Sequence, residues 1–488
     1  MGLAFVNKHK HTTSTQTDNK RSLSNHLPKQ PRMRVRTVTV LVSGVDGRGD
    51  VRRVLGKARQ LLDVCEEKLK MASFEVQTAR VAMSDPAEWL AHWPKQEAPD
   101  APQAKKDKQA PSASVSGGDH KHSRDHGQHT QEPAKGLPPK LREELEALDQ
   151  ALQEHGISFF NLGCLRSASV EEVAMVPDVL LLSPRFNMSV NVSPGDLELA
   201  TALAHAVQRV ACESKGGLGN FRLCASACCG QALIPFFPAG CAPTTAAAAT
   251  EATAAGGVRF SVAVGLENGD LTNQAAEQAR VSAKLHEALR SVMLAPLQQI
   301  EAACEDAVRA FGAASGGNLL SVSFAGVDTS FNPSLDQGMG GSVAHGLNRL
   351  ADVASLSDLG ALGAVARATT GIQALPVKQT GYRGLMLPVC EDRFLAALGT
   401  AQQQQQQQLT IQHLLILSSV CGVGVDTVPI PGAFDVHRLA LLYLDMSGLA
   451  HRWNKPLSCR VFPVPGKEAG DMTTFDSPYL VNTSVFSL

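Results

Sequence analysis

Aromatic side chains are scarce in this 488-residue chain, at 5% of residues, with only three tryptophans and three tyrosines. So few rings argue against a stacking platform for single-stranded nucleic acid. Long apolar runs are missing too. The longest, at 414–420, is interrupted by Ser418 and Ser419 and falls well short of the roughly 18 residues that a membrane span needs. Charge of one sign is not in excess: 45 Lys and Arg face 46 Asp and Glu, for a net charge of -1. Nothing overall therefore favours nucleic acid or an anionic membrane. The eleven cysteines are odd in number and show no framework spacing, and Cys228-Cys229 is the one adjacent pair. That usage fits a reducing compartment in which thiols pack as small hydrophobes.

What is present is ample material for a core, with 44% hydrophobic residues. The first 36 residues carry eight Lys or Arg against one acid, Asp18, among many Ser and Thr. Residues 1–32 read as a basic disordered tail, with an organelle transit peptide as the other reading. The location expected is cytoplasmic, or plastid or mitochondrial if the tail is a transit peptide. Residues 94–139 are rich in Lys, Asp, Gln, Ser, Gly, His and Pro and nearly empty of large apolar side chains, so they read as a disordered insert. An Ala-rich loop at 241–257 and a polyglutamine tract at 402–408 are further interruptions. The remainder of 33–488 reads as a single large α/β domain.

Strand-like alternation at 34–43 is followed by an amphipathic pattern at 51–72, in which Val54, Ala58, Leu61, Leu62, Cys65 and Leu69 recur every three or four residues. Residues 74–83 return to strand character. Further on, 141–155, 273–312, 409–420 and 436–453 read as helices, and 157–162, 319–325 and 457–462 as strands. Alternating strands and helices imply a largely parallel sheet or barrel.

Two segments echo each other: Gly326-Val327-Asp328-Thr329 and Gly424-Val425-Asp426-Thr427, each followed by a proline-bearing turn. Ligand crevices in α/β folds sit at the carboxyl ends of strands, so Asp328 and Asp426 are candidates for two carboxylates facing one cavity. Such a pair can bind a divalent cation, Mg²⁺ or Ca²⁺, or divide acid and base roles. The competing reading makes each Asp a turn cap. The irregular C-terminal stretch adds Lys467, Asp471 and Asp476 as candidates. Thr380 to Asp392 adds Tyr382 and Arg383, the arginine as a bidentate grip on a carboxylate or phosphate. Cys421, next to Gly422, is a candidate thiol at the mouth of the site or a buried structural cysteine. Gly44–Gly49 (GVDGRG) matches no phosphate-loop pattern, and the four histidines of the insert are too loosely placed to define a metal site.

Six segments together resemble one family: FEVQTARVA at 74–82, PFFPAG at 235–240, SFAGVDTS at 323–330, GLMLPVCED at 384–392, SVCGVGVDTVPIPG at 419–432 and PVPGKEAGDMTTFD at 463–476. That family is uncharacterised protein family UPF0210, also called domain of unknown function 711 (DUF711). The resemblance implies a ten-stranded α/β barrel similar to pyruvate formate-lyase and the ribonucleotide reductase large subunit, and it implies no activity. Glycyl radical enzymes carry Arg-Val-x-Gly-aromatic near the C terminus, whereas here Arg460-Val461 is followed by Phe462-Pro463. Cys228-Cys229 resembles the paired cysteines of the formate-lyase thiyl loop.

The functional expectation is an enzyme acting on a small polar or anionic metabolite in a carboxylate-lined site. The residues expected to line it are Asp328, Asp426, Asp471, Asp476, Lys467 and Arg383. A non-catalytic metabolite-binding protein on the same scaffold is the alternative, and thiol or radical chemistry at Cys421 or Cys228 ranks last. A small-molecule ligand is the expected partner, with neither nucleic acid nor membrane; a homo-oligomer is compatible with the composition.

Overall fold

The first strand shows how the sheet is anchored. β1 (Arg34–Ser43) alternates Val with Thr and Arg, then becomes almost continuously apolar and is buried from Thr37 onward. A strand buried on both faces belongs in the middle of a sheet, and β1 lies between two neighbours there. It pairs in parallel with β2 (Val76–Met83) and antiparallel with β6 (Val258–Glu267).

The computed structural model of the chain describes residues 33–45, 51–94, 136–228, 233–244, 257–315, 320–400 and 408–488. The tail, nearly all of the 94–139 insert with its histidines, most of the Ala-rich loop, Gln402 to Gln407, the GVDGRG turn beyond Val45 and Cys229 lie outside the described residues.

The remaining strands are β3 (Phe160–Leu165), β4 (Phe186–Asn191), β5 (Leu223–Ala227), β7 (Leu320–Asp328), β8 (Gly424–Pro431) and β9 (Leu457–Val464). They form one mixed sheet of nine strands in the order β7-β6-β1-β2-β3-β4-β5-β9-β8. Strands β1 to β5 run parallel, β6 with β7 and β8 with β9 are parallel pairs, and β1/β6 and β5/β9 are the antiparallel seams. Nine strands stand among the described residues where ten were expected. Isolated parallel bridges run from the outer strands to one further segment: Val327 with Gln379, Phe331 with Leu385, and Pro388 with Asp426.

Helices cover the sheet through apolar stripes. Val51–Met71 buries Val54, Leu55, Ala58, Leu61, Leu62, Cys65 and Leu69. At about 1.5–3 kcal/mol for each large side chain, that stripe outweighs any weakness of local propensity. Val436–Trp453 starts on the Asp435 side chain, which accepts from the His437 N–H, and ends on Asn454 in the left-handed region. The long helix expected over 273–312 is instead two, Gly269–Ala279 and Leu285–Ala314. Arg280, at φ 62°, terminates the first, and the Asp352 carboxylate accepts from the Ser282 N–H in the turn between them. The strand expected at 157–162 begins only at Phe160, because the Ile157 N–H is still engaged by the Leu152 carbonyl of the preceding helix. Among the described residues no helix is long and apolar enough to cross a membrane.

Candidate functional site

Strands β2 and β9 each carry an arginine partway along, in VQTARVAM and LSCRVFPV. The two-residue period of a strand puts Ser458 and Arg460 on one face of β9, and Thr78 and Arg80 on one face of β2. Both faces look into a chamber of about 220 Å³. Arg36 of β1, Asn187 of β4, Cys224 of β5 and Asp426 of β8 line it as well. Strands from the third to the ninth position of the sheet thus share one cavity, so the sheet curls around it.

The chamber lies at the amino ends of several strands, not at their carboxyl ends as expected. Phe159, Pro184 and Phe221 line it just before β3, β4 and β5, and Val423 just before β8. One wall is the 235–240 turn. It is held where the Thr39 hydroxyl donates to the Pro235 carbonyl at 2.8 Å and Asn161 Nδ2 donates to the Pro238 carbonyl at 2.6 Å. Gly265 leaves room for that turn, since a Cβ there would sit 2.6 Å from the Phe236 ring.

Four arginines line the chamber, and they differ in what they already hold. Arg460 donates from Nε to Asp426 Oδ1 at 2.6 Å, and from Nη2 to Asp426 Oδ2 at 3.0 Å and Glu391 Oε1 at 2.9 Å. Burial alone would lower its pKa, but the two carboxylates more than offset this and raise it. Arg222 Nη1 is consumed by the carbonyls of Leu180, Ser183 and Phe186 at 2.6 to 3.0 Å. Arg36 donates to Gln77 Oε1 at 3.0 Å and Glu267 Oε2 at 3.1 Å, and lies 3.9 Å from Glu391 Oε2.

Arg80 differs from the other three. Its guanidinium lies near the rings of Phe159 and Phe237, 5.4 and 5.2 Å from their centroids. Its Nε donates to Thr78 Oγ1 at 3.0 Å, and among the described residues it has no carboxylate within ion-pair distance. Burial, with the positive charge of Arg36 second, lowers its pKa to about 9. It is a cation at neutral pH all the same. Glu391 is pushed the other way: burial raises its pKa and Asp426 adds to that, against the pull of Arg460.

The sequence candidates scatter. Asp426 and Tyr382 line the chamber, and the Tyr382 hydroxyl donates to Ser458 Oγ at 2.8 Å. Asp328 does not line it. Its fully buried carboxylate accepts from Ser330 N at 3.1 Å, Ser330 Oγ at 2.6 Å, Tyr382 N at 2.8 Å and Arg383 N at 3.0 Å. Four donors favour its ionised form, while burial pushes the carboxyl up. The two GVDT aspartates are thus separated, because one ends β7 and the other sits near the start of β8. The metal pair expected at Asp328 and Asp426 is not assembled: the first is filled by N–H and O–H donors and the second by Arg460. No group of three or more metal-ligating side chains occurs among the described residues.

Arg383 contributes its backbone N–H to Asp328 from φ 51° while its side chain is exposed. Lys467 joins a backbone turn, accepting from the Gly432 N–H at 3.1 Å. Asp471 accepts from the Glu468 N–H at 2.9 Å, and Asp476 is exposed; neither lines the chamber. Cys421 is buried at the end of helix Ile411–Cys421 and burial raises its pKa, as it does for Cys228. An uncharged buried thiol is a poor nucleophile.

Sequence reasoning missed Arg36, Arg80 and the role of Arg460, while the candidate stretch Thr380 to Asp392 did contain Glu391. The available signal was an arginine inside a strand-like segment. Four of the six family-like segments do converge here: 74–82 through Arg80, 235–240 through Phe236 and Phe237, 384–392 through Glu391, and 419–432 through Asp426.

The sequence profile of the family described as "Uncharacterised ACR (DUF711)" matches residues 27–477. A UPF0210 protein of Methanopyrus kandleri is 31% identical over 159 residues, which is 31% of this chain and 33% of that protein. One from Pyrobaculum aerophilum is 34% identical over 155 residues, 31% of this chain and 33% of that protein. One from Oleidesulfovibrio alaskensis is 37% identical over 95 residues, 20% of either chain. The chain thus aligns with about a third or less of the length of these curated relatives. With the profile spanning most of its length, the chain belongs to the DUF711 (UPF0210) family.

Proposed function

We propose that the protein is an enzyme acting on a small anionic metabolite that docks on Arg80, with Glu391 as general acid and base. The observation that carries this reading is the contrast between two arginines of one chamber. Arg460 has its bidentate carboxylate, supplied by Asp426, and Arg80 has none. Arg80 is half-buried, and a cation withdrawn from water is costly unless paired. The rings of Phe159 and Phe237 lie within cation–π distance of the Arg80 guanidinium, which has no carboxylate partner among the described residues and can engage the carboxylate or phosphate of a ligand. Glu391, a carboxyl that lines the chamber 2.9 Å from Arg460 and whose pKa burial raises, is placed to exchange a proton with a bound ligand.

The same reading takes the sheet as a ring of ten strands, as in pyruvate formate-lyase-like enzymes. Residues 379–388 would be the tenth strand, between β7 and β8. Support comes from the three parallel bridges to that segment and from the two antiparallel seams, which would divide the ring into two halves of five parallel strands.

The test is a thermal-shift and calorimetric screen of the full chain against small carboxylates and inorganic phosphate, with Arg80→Met alongside. A ligand at 100 times its dissociation constant adds about 2.7 kcal/mol of stability. Stabilisation of the wild type and its loss in the variant are expected. Equal binding by the variant would overturn the assignment. Turnover of a bound ligand that Glu391→Gln slows by roughly 10²–10⁴ would separate an enzyme from a binding protein.

A further inference from the structure

The chain is poor in aromatic residues, yet six of them (Phe159, Phe221, Phe236, Phe237, Tyr382 and Tyr479) line this one chamber. Two of the three tyrosines are among them. The chain has 23 Phe, Trp and Tyr in all, so about a quarter of its rings meet at this one cavity. We infer that the ligand of the chamber is a monocarboxylate whose body is a single flat ring, and this rests on the reading of Arg80 as the anion dock.

Three observations converge on that class. The first is charge. Of the four arginines, Arg222, Arg460 and Arg36 are each engaged by carbonyl, carboxylate or amide oxygens of the protein, whereas Arg80 donates only to the Thr78 hydroxyl, which makes it the foremost dock for a single anionic group. A dicarboxylate would bring a second charge beside Glu391 and Asp426. The second is size. A cavity of about 150 Å³ accepts benzene, so about 220 Å³ holds one six-membered ring with a carboxylate and little more. The third is the character of the walls. Phe221 stacks on Phe462 with centroids 5.9 Å apart and covers the Arg460 guanidinium at 4.7 Å, so Arg460 presents an aromatic cover and not a second charged fork. Flat rings in such surroundings gain aromatic contacts beyond simple area burial.

The experiment uses the full chain and five probes: benzoate, phenylacetate, acetate, succinate and inorganic phosphate. Calorimetry and saturation-transfer NMR would report binding to the wild type, to Arg80→Met and to Tyr479→Ala. Tyr479 is 57% exposed, so its truncation leaves the core untouched. The expected result is that benzoate or phenylacetate binds at least tenfold more tightly than acetate, succinate or phosphate. Arg80→Met should abolish that binding, and Tyr479→Ala should weaken the ring-bearing acids several-fold without changing acetate. If acetate, succinate or phosphate binds as tightly as the ring-bearing acids, the ring inference falls and the anion dock stands. If none of the five binds the wild type, both fall together.

Discussion

Asp426 and Arg460 meet across the neighbouring parallel strands β8 and β9 with both carboxylate oxygens engaged, at 2.6 and 3.0 Å. Both side chains face the chamber, and the arginine is nearly inaccessible to solvent. Removing Asp426 leaves the buried Arg460 with Glu391 as its remaining carboxylate. Asp426→Asn is therefore expected to cost toward the lower end of the roughly 3–5 kcal/mol that breaking a buried pair costs. Urea denaturation would check this, with Asp426→Leu/Arg460→Met recovering part of the loss.

Arg80 should behave in the opposite way. Its charge is desolvated without a carboxylate partner, so Arg80→Met should raise the stability of the ligand-free protein by about 1 kcal/mol. The gain stays well below what the full pKa depression would suggest, because the side chain is only half-buried and water screens it. The same substitution should weaken small-anion binding at least tenfold. A melting curve and a titration on one sample would reveal this trade of stability against binding.

The pH dependence follows from the sign of the Arg80 shift. Burial and the charge of Arg36 hold its pKa down at about 9, so the anion dock is cationic below that value and loses its charge as pH rises through it. Anion affinity is expected to be flat from pH 7 to 8 and to fall by up to tenfold per unit well above pH 9. A series of titrations from pH 7 to 10.5 would check it. Bound anion favours the cation, so the fall in the complex should begin at higher pH than in the free protein.

Asp328 organises the neighbouring loop. Its carboxylate ties the end of β7 to the Tyr382 and Arg383 N–H groups, and Gly381 at φ 72° makes the approach feasible, since a Cβ there would sit 2.1 Å from Asp328 Oδ2. Asp328→Asn would set an NH₂ group against N–H and O–H donors and should cost about 2–3 kcal/mol. Tyr382 lines the chamber from this loop, so ligand affinity should fall as well, by displacement of a wall and not by loss of charge. Comparison of Asp328→Asn with Arg80→Met by salt dependence of binding would distinguish the two, since only the second removes an ionic contact.

Much of the secondary structure was legible because it is locally encoded. The Val51–Met71 stripe repeats every three to four residues, and Val436–Trp453 carries its own Asp435 and Asn454 ends. The break at Arg280 was not legible, because a non-glycine residue at positive φ leaves no mark in hydrophobic periodicity. The two GVDT segments looked like a pair, since identical words invite a shared role. Their separation comes from position within the strand, Asp328 at the end of β7 and Asp426 near the start of β8, which spacing along the chain does not encode.

By itself the sequence determined the α/β alternation, the family resemblance and the absence of a long apolar span, all of which depend on neighbours a few residues apart or on composition. Only the tertiary structure decided which charges meet. Arg36 and Arg80 lie more than 300 residues before Glu391, Asp426 and Arg460, and they converge because the sheet curls so that β1, β2, β8 and β9 share one chamber. Whether an arginine there is satisfied or free depends on which carboxylate lies across from it, and that is set by strand register and chain packing, which local sequence pattern does not contain.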